Sequence, residues 1–334
     1  MAGFNGKNGF ASLAVGATLA LAPYQGLKAA DFGPELFQAV VKLVAEVPKD
    51  ARSAQTLGTR REGNGVVIDD NGLVLTIGYL IVEAMAVTLE DHAGKSTAAE
   101  IVGYDHDTGF GLVRANAPLG VKPLRIGDSR KLEARDPVLV IGHGGPDATV
   151  AGVVMSRRLF AGYWEYMLER AIFTSPPHGN WGGTALIGKD GTLLGIGSLF
   201  VNDAADRASQ ISGNMFVPID LLKPIMGDLL SAGRPSGAPR PWLGMLSTDQ
   251  FGVVLVTRVT PDAPAHKAGL RPGDVVVAVR DKPVKSVEAF YRALWASGEA
   301  GVEVPLTVMR QSGAIEVVVK SASRYDFMQF RRTF

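Results

Sequence analysis

The sequence predicts a mainly β protein made of two units joined by a linker. From Gly63 onward, short runs of β-branched and apolar residues alternate with turn dipeptides, a pattern typical of a sandwich or closed barrel. Forty glycines and nineteen prolines supply the many turns that such an architecture needs. The stretch SAGRPSGAPRP (231–241) has the composition of a linker, and a smaller unit with two helical periods follows it.

The composition is that of an ordinary globular protein and excludes several classes of function. The chain has 334 residues, of which 46% are apolar and 20% charged, and its formal net charge is +1. Because no block of like charge stands out, we do not expect nucleic acid as a partner. Cysteine is absent, which excludes disulfides, thiolate catalysis and cysteine-ligated metals. No cofactor is expected.

Residues 1–30 resemble a secretory signal. Lys7 precedes an apolar run over residues 10–22, and the small residues Ala29 and Ala30 follow it. We therefore expect export to a bacterial periplasm, and the alternative is a cytoplasmic protein with a packed N-terminal segment. The apolar run is shorter than the roughly 20 residues of a membrane-spanning helix, so no spanning segment is expected.

Turn dipeptides specify two hairpins in the first unit. In GNGVVIDDNGLVLTIG, Asn71-Gly72 joins two β-branched runs, and this pair favours a type I′ turn. Asp190-Gly191 has the same place in TALIGKDGTLLGIGSLF. Each hairpin supplies two neighbouring antiparallel strands of the predicted barrel or sandwich.

Three helices are predicted. The first covers residues 219–231, with Pro224 in its first turn or at a kink. The second is a short helix over 265–268, begun by Pro264 and ended by Gly269. The third is SVEAFYRALWAS, whose apolar residues fall on one helical face.

Five segments in the same order carry a resemblance to a known family. They are GNGVVIDDNGLVLT, GYDHDTGFGLVRANAPLGVKPLRIGDS, VLVIGHGG, HGNWGGTALIGKDGTLLGIG and GNMFVPIDLLKPI, and APAHKAGLRPGD follows in the second unit. Over residues 35–323 the chain resembles the HtrA/Deg family of trypsin-fold serine proteases. The resemblance implies a chymotrypsin/trypsin-like double β-barrel followed by a PDZ domain. The implied domains are the barrels at 31–231, a linker at 232–240, the PDZ domain at 241–323 and a tail at 324–334.

The resemblance leaves all three catalytic roles without a suitable side chain. Serine-protease chemistry needs a nucleophilic hydroxyl, an imidazole base and a carboxylate that orients the imidazole. Tyr79 stands at the histidine position, Gly109 at the aspartate position and Trp181 at the serine position. A phenol is protonated at neutral pH, glycine has no side chain, and an indole cannot attack a carbonyl. The expected protein is therefore a pseudoprotease.

The bend that would carry the serine keeps its glycines. The resemblance implies that the backbone N–H groups of Gly179, Asn180 and Trp181 still form an oxyanion-type turn. We expect the Trp181 indole to fill the former pocket, or to offer an aromatic platform to a bound peptide.

Two other interpretations of the cleft stay open. Asp107 or a Ser175–His178 pair could provide an unconventional catalytic set, which would make the protein a serine-type endopeptidase. His143 and His178 could instead converge on a metal, although no histidine pair has the spacing of a known zinc motif, and no metal ligand is therefore assigned.

The PDZ resemblance implies binding of peptides or protein C-termini. Such modules add an extended peptide to a sheet edge and capture its carboxylate with backbone N–H groups. PWLGM matches the family's loop, so Trp242, Leu243, Gly244 and Met245 are the expected peptide contacts. The terminal residue, Phe334, suggests that the tail caps this groove, and a frayed terminus is the alternative.

The expected function combines these features. The protein would bind peptides through its PDZ domain and act in scaffolding, protein quality control or regulation of an active relative. The family forms trimers through N-terminal segments, and the apolar stretch FGPELFQAVV could serve a homo-oligomer in this way.

Overall fold

A computed structural model describes residues 26–250 and 252–328 as three β units. The predicted signal segment lies outside the described residues up to residue 25, and so does the end of the tail from residue 329 onward. The mainly β fold class, a double barrel followed by a smaller sheet unit, is confirmed. Among residues 26–250 and 252–328, no helix has the length and apolar character that crossing a bilayer requires.

Six antiparallel strands close the first barrel. They are β1 (Val40–Glu46), β2 (Arg60–Val67), β3 (Leu73–Ile77), β4 (Ala86–Glu90), β5 (Ser96–Tyr104) and β6 (Phe110–Ala115). Their order around the barrel is β1-β2-β3-β6-β5-β4, and β1 pairs with both β2 and β4. Closure leaves no strand edge exposed. Leu43, Leu75 and Leu112 are fully buried and fill the interior.

The second barrel repeats this architecture. Its strands are β7 (Pro137–Ile141), β8 (Thr149–Gly162), β9 (Tyr166–Ser175), β10 (Ala185–Ile187), β11 (Leu193–Val201) and β12 (Gly213–Pro218), in the order β10-β11-β12-β9-β8-β7. β8 and β9 are longer than the other strands of this barrel, and their hairpin extends beyond it. One hydrophobic core contains side chains of both barrels.

The C-terminal unit is an open sheet with two helices. Its strands are β13 (Met245–Gln250), β14 (Val253–Val259), β15 (Val275–Val279), β16 (Lys282–Pro283), β17 (Glu303–Arg310) and β18 (Gly313–Lys320). The main order is β13-β14-β15-β17-β18, which makes β13 an edge strand. The helices are α5 (Pro264–Lys267) and α6 (Val287–Trp295), and Phe290, Tyr291 and Leu294 of α6 are fully buried.

The remaining helices are short. They are α1 (Pro34–Gln38), α2 (Ala54–Leu57), α3 (Gly78–Ile81), α4 (Met226–Ala232) and α7 (Arg324–Phe327), together with 3₁₀ turns at Ala29–Asp31, Ser129–Lys131, Gly145–Ala148 and Ile219–Leu221. The described part of the predicted tail is therefore partly helical. Phe327 of α7 packs on Trp242 with ring centroids 4.7 Å apart.

The local predictions are confirmed with two corrections. Both turn dipeptides join paired strands, and Gly72 and Gly191 have positive φ angles. The expected type I′ geometry is wrong, because it needs a positive φ angle at both central residues, and Asn71 and Asp190 lack one. The single helix expected over 219–231 is wrong, because a 3₁₀ turn precedes Pro224 and α4 begins only at Met226. Proline lacks an N–H group and its ring clashes with the preceding helical turn, so the helix starts after it.

Most apolar side chains of the stretch FGPELFQAVV, proposed for oligomer contacts, are buried in the core of their own chain. Leu36 and Phe37 of α1 are buried, and Val40 and Val41 of β1 are almost completely inaccessible. These side chains belong to the core of the barrels. An interface through this stretch would therefore have to use its exposed neighbours.

Candidate functional site

The three predicted triad positions meet at one cavity. Tyr79 lies in α3, Gly109 precedes β6, and Trp181 lies in the bend between β9 and β10. All three line a cavity of about 610 Å³, and Gly244 and Met245 of the C-terminal unit line its other side. The cavity therefore brings together the predicted triad positions and part of the predicted peptide loop.

Tyr79 is a half-buried hydrogen-bond donor rather than a base. Its hydroxyl donates to the carbonyl of Ser198 on β11 at 2.9 Å. Burial raises the pKa of Tyr79 well above its ordinary value, and the side chain of Trp181 opposes this rise only in part. The phenol is therefore neutral at physiological pH and cannot take a proton from a nucleophile.

The backbone at Gly109 disfavours a residue with a side chain. Its φ angle is +85°, which disfavours residues with a Cβ, and an added Cβ would lie 3.0 Å from the hydroxyl of Tyr166. Tyr166 occupies this space because its hydroxyl donates to the carbonyl of Thr108 at 2.6 Å. The space beside Gly109 is therefore filled by Tyr166, a side chain from the second barrel. Tyr166 was not identified from the sequence as a residue of this site.

The bend around Trp181 is held by a buried asparagine of β2. Asn64 donates from Nδ2 to the carbonyls of Asn180 and Gly182 at 3.0 and 2.9 Å, and its Oδ1 accepts the N–H of His143. At Gly183 the φ angle is +79° and an added Cβ would lie 1.9 Å from the Asn64 carbonyl oxygen, so only glycine fits.

Two of the predicted bend residues have defined contacts. The half-buried Trp181 ring lies 5.8 Å from the exposed ring of Phe200, centroid to centroid. The N–H of Asn180 donates to Nδ1 of His178 at 3.1 Å, so this group is already engaged. An oxyanion-type turn would have to use the N–H groups of Gly179 and Trp181.

The substitute catalytic residues are engaged elsewhere. The Ser175 hydroxyl donates to the carbonyl of Ser212 at 2.9 Å rather than to His178. Asp107 forms an ion pair with Arg240 at 3.1 Å. With Nδ1 of His178 accepting from Asn180, its Nε2 donates to the carbonyl of Ala148 at 3.0 Å. A neutral ring with both nitrogens occupied offers neither a base nor a ligand atom.

The metal interpretation has little geometric basis in the described part of the chain. Nε2 of His143 lies 3.4 Å from the carbonyl oxygen of Asp91, and its backbone N–H contacts Asn64. Among the residues that the structure describes, no group of three or more His, Cys, Asp or Glu side chains is arranged to hold an ion.

The predicted peptide loop surrounds a carboxylate, and that carboxylate comes from the barrels. The N–H groups of Leu243, Gly244 and Met245 donate to the side chain of Glu165 at 2.8, 2.7 and 3.1 Å. Glu165 lies at the turn between β8 and β9 and is 6% exposed. Burial raises its pKa to about 7, although the three donors and Arg324 act in the opposite direction.

The hairpin that carries Glu165 also contacts the edge strand and the helix beside it. The N–H of Ser247 on β13 donates to the carbonyl of Tyr163 at 2.8 Å. The Tyr291 hydroxyl on α6 accepts the N–H of Glu165 at 2.9 Å and donates to the carbonyl of Gly162 at 2.8 Å. Sequence reasoning missed Glu165 and Tyr291. The only local signal was an acidic residue within the aromatic tip GYWEY.

Trp242, the remaining predicted loop residue, also lines the cavity and has contacts within the C-terminal part of the chain. It is buried, its backbone pairs with Ala322, and its ring contacts Phe327. Gly244 has a φ angle of +79°, and an added Cβ would lie 2.3 Å from Cβ of Ala263. The loop conformation that points three consecutive N–H groups at one carboxylate therefore depends on glycine at this position.

Comparisons with known families match both parts of this architecture. A trypsin-like peptidase domain matches residues 63–196, which lie in the two barrels, and a PDZ domain matches residues 241–320. In the solved structure described as HtrA-type protease AlgW with decapeptide, the similarity covers 89% of this chain and 99% of that chain. Its TM-score is 0.52 at 19% identity, which supports the shared fold alone.

Curated relatives are similar over most of the chain. Serine protease PepD of Mycobacterium tuberculosis is 30% identical over 332 residues, covering 91% of this chain and 69% of PepD. Serine endoprotease DegS of Escherichia coli is 27% identical, covering 81% and 79%. A probable periplasmic serine protease do/HhoA-like of Haemophilus influenzae is 29% identical, with 80% of this chain and 61% of that protein covered. The chain therefore belongs to the HtrA/Deg family, in which a trypsin-like peptidase fold is followed by a PDZ domain.

Proposed function

We propose that this protein is a non-proteolytic member of the HtrA/Deg family that binds peptides or protein C-termini through its PDZ domain. The relatives are named as serine proteases. This chain would differ from them by lacking proteolytic activity and would share the peptide-binding PDZ domain. Its role would be scaffolding, protein quality control or regulation of an active relative.

The observation that carries the proposal is the chemistry at Tyr79, Gly109 and Trp181. The first is a neutral phenol that donates to a carbonyl, and the second has no side chain and a φ angle that strains any residue with a Cβ. The third is an indole that lines the cavity where an acyl group would react. In subtilisin, loss of the triad lowers turnover by about 10⁶-fold, so the remaining turn cannot sustain proteolysis.

The PDZ loop supports the binding half of the proposal. Three consecutive N–H groups at 2.7 to 3.1 Å from one carboxylate form an anion site of the kind that captures a peptide terminus. Next to it, β13 is an edge strand to which an extended chain can add. The loop would bind the terminal carboxylate of a C-terminal peptide, and β13 would pair with the backbone of its extended segment.

We also propose export and self-association. The Haemophilus relative is named as periplasmic, and the apolar run of residues 10–22 is of the kind found in secretory signals. We propose a homo-oligomer, for example a trimer, because members of the family form trimers.

A labelling and digestion experiment tests the non-proteolytic assignment. Purified protein is treated with a fluorophosphonate probe and incubated with casein, with trypsin as the positive control. We expect neither labelling nor cleavage. Ser53→Ala, Ser175→Ala and Ser198→Ala are the matched variants, because Ser53 and Ser198 line the cavity and Ser175 lies six residues before Trp181 in the chain. Labelling that one of these substitutions abolishes would establish an unconventional protease instead.

A further inference from the structure

We propose that the cavity at the three triad positions is a binding site for a compact anionic ligand, an aromatic molecule that carries one carboxylate. The inference does not depend on the peptide binding proposed for the PDZ domain. Three features of the described residues support it: the arginines around the cavity, its aromatic lining and its enclosure by separate parts of the chain.

Positive charge predominates in the lining of the cavity. Its charged side chains are those of Arg52, Arg258, Arg324 and Asp105. Within the described part of the chain, none of the three arginines forms an ion pair. Arg52 instead lies over the Phe327 ring, with its guanidinium carbon 3.9 Å from the ring centroid. The charge of the lining therefore favours an anionic ligand.

The aspartate of the lining is used within its own turn and beside α7. Oδ1 of Asp105 accepts the N–H of Asp107 at 3.1 Å and the hydroxyl of Tyr325 at 2.8 Å. Its Oδ2 accepts the N–H of Thr108 at 2.9 Å. These donors hold the buried carboxylate where it forms no ion pair with an arginine of the cavity. The positive charges of the lining are thus not neutralised by a carboxylate close to them.

Arg324 is the strongest indication of an anionic ligand. Its Nε is inaccessible to solvent and has no hydrogen-bond acceptor among residues 26–250 and 252–328. Burial lowers the pKa of Arg324, although the charges of Glu165 and Asp107 favour its protonated form. Those two carboxylates are engaged elsewhere, Glu165 by the N–H groups of the PDZ loop and Asp107 by Arg240. A buried cation without a close counter-ion is costly, and a carboxylate beside it would reduce that cost.

The remainder of the lining suits a flat apolar body. Trp164, Trp181 and Trp242, three of the four tryptophans of the chain, line the cavity, so tryptophan fluorescence should respond to a ligand there. Trp164 stacks on Tyr166 with ring centroids 5.5 Å apart and an angle of 12° between the ring planes. Aromatic side chains pack well against a further ring. The volume of about 610 Å³ lies within the range of roughly 300 to 1,000 Å³ that is typical of small-molecule sites.

Separate parts of the chain enclose the cavity. The second barrel supplies Trp181, the PDZ domain supplies Met245, and α7 supplies Phe327. The hydroxyl of Tyr325 fixes α7 against the first barrel, because it accepts the N–H of His106 at 3.1 Å. Among the described residues that line the cavity, none belongs to α6, which packs beside the edge strand β13. Walls from three parts of the chain suit a compact molecule better than a long polypeptide.

A carboxylate is the head group that an arginine site recognises with directional bonds. The planar guanidinium presents parallel N–H donors, and both oxygens of one carboxylate can accept from them. An uncharged amide of the same shape would lack the charge and would place N–H donors beside the arginine. The proposed ligand is therefore a carboxylic acid that is ionised at neutral pH and has an uncharged ring system as its body.

The test compares a fluorescent carboxylate with its uncharged amide. Pyrenebutyrate and pyrenebutyramide share one aromatic body, and each is titrated into the full-length protein with detection by tryptophan quenching and by calorimetry. Three variants, Arg324→Gln, Arg258→Gln and Arg207→Gln, each remove one positive charge. Arg207 is the matched control, because it is exposed and is not among the residues that line the cavity. Folding is checked by circular dichroism, and the exposed Arg258 decides the outcome if Arg324→Gln is unfolded.

We expect the wild type to bind pyrenebutyrate at least about tenfold more tightly than pyrenebutyramide. Arg324→Gln should abolish this preference, Arg258→Gln should reduce it severalfold, and Arg207→Gln should leave it unchanged. Equal affinity of the wild type for the two compounds, or no binding of either, would overturn the inference. A preference that survives in every folded cavity variant, or that Arg207→Gln reduces to the same extent, would overturn it as well. The affinity for C-terminal peptides is a separate measurement, so failure here leaves the proposed peptide binding intact.

Discussion

Glu165 makes the stability of this protein depend on pH in a direction that can be calculated. Burial raises the pKa of its carboxyl from 4.5 to about 7, so at neutral pH the folded chain retains a proton that the unfolded chain releases. The resulting stabilisation is fully present below about pH 4.5, and it is lost as the pH rises through about 7. Raising the pH from 5 to 8 should lower the unfolding free energy by roughly 2 to 3 kcal/mol for one group with these two pKa values.

Several other groups face Glu165 and must be separated from it. They are Tyr291 on α6, Arg324 on α7, and His106, Asp107 and Arg240 around a neighbouring pocket. Asp107 needs its own control, because burial raises its pKa to about 6 and it titrates in the same range. Burial lowers the pKa of His106 well below its ordinary value.

The assay is urea unfolding followed by tryptophan fluorescence at pH 5, 6, 7 and 8. At each pH, the unfolding free energy of the Glu165→Gln variant is subtracted from that of the wild type. The subtraction removes the contributions that both proteins share. The difference should fall by roughly 2 to 3 kcal/mol from pH 5 to pH 8. The same subtraction in an Asp107→Asn background should give the same slope. Parallel pH curves for wild type and Glu165→Gln would refute the reasoning, because Glu165 would then titrate as it does in the unfolded chain.

Two further predictions concern the bend. Asn64→Ala removes three buried hydrogen bonds and should lower the unfolding free energy by about 3 kcal/mol in urea denaturation, so an unchanged midpoint would contradict the assigned role. Gly183→Ala should destabilise more strongly, since its Cβ meets a carbonyl oxygen at 1.9 Å, whereas Gly179→Ala enters open space and should leave the melting temperature within about 2 °C.

Local features of the sequence were sufficient for much of the fold. The dipeptides at Asn71-Gly72 and Asp190-Gly191 predict their hairpins because the chain needs left-handed residues at those turns. Pro264 and Gly269 predict the ends of a short helix for equally local reasons. The position of α4 after Pro224 was within reach of the same rules.

The lack of a serine, histidine or aspartate at positions 79, 109 and 181 could also be read from the sequence, because it depends only on residue type. Their convergence on one cavity could not be predicted, and neither could the position of the Tyr166 hydroxyl, which lies 3.0 Å from where a Cβ of residue 109 would be. Residue type alone states which reactions a side chain cannot perform, but contacts between barrels depend on how the chain packs over long range.

By itself, the sequence determined where many strands and turns form, and it predicts that the catalytic side chains are lacking and that a carboxylate-binding loop follows the barrels. Only the tertiary structure decided what that loop holds. Glu165 is separated from Leu243 by 78 positions in the chain, and its local sequence is the same whether its carboxylate faces water or three N–H groups. The outcome depends on how the PDZ domain packs against the β8–β9 hairpin, and burial and hydrogen bonding at a distance leave no periodic or local signal in the chain.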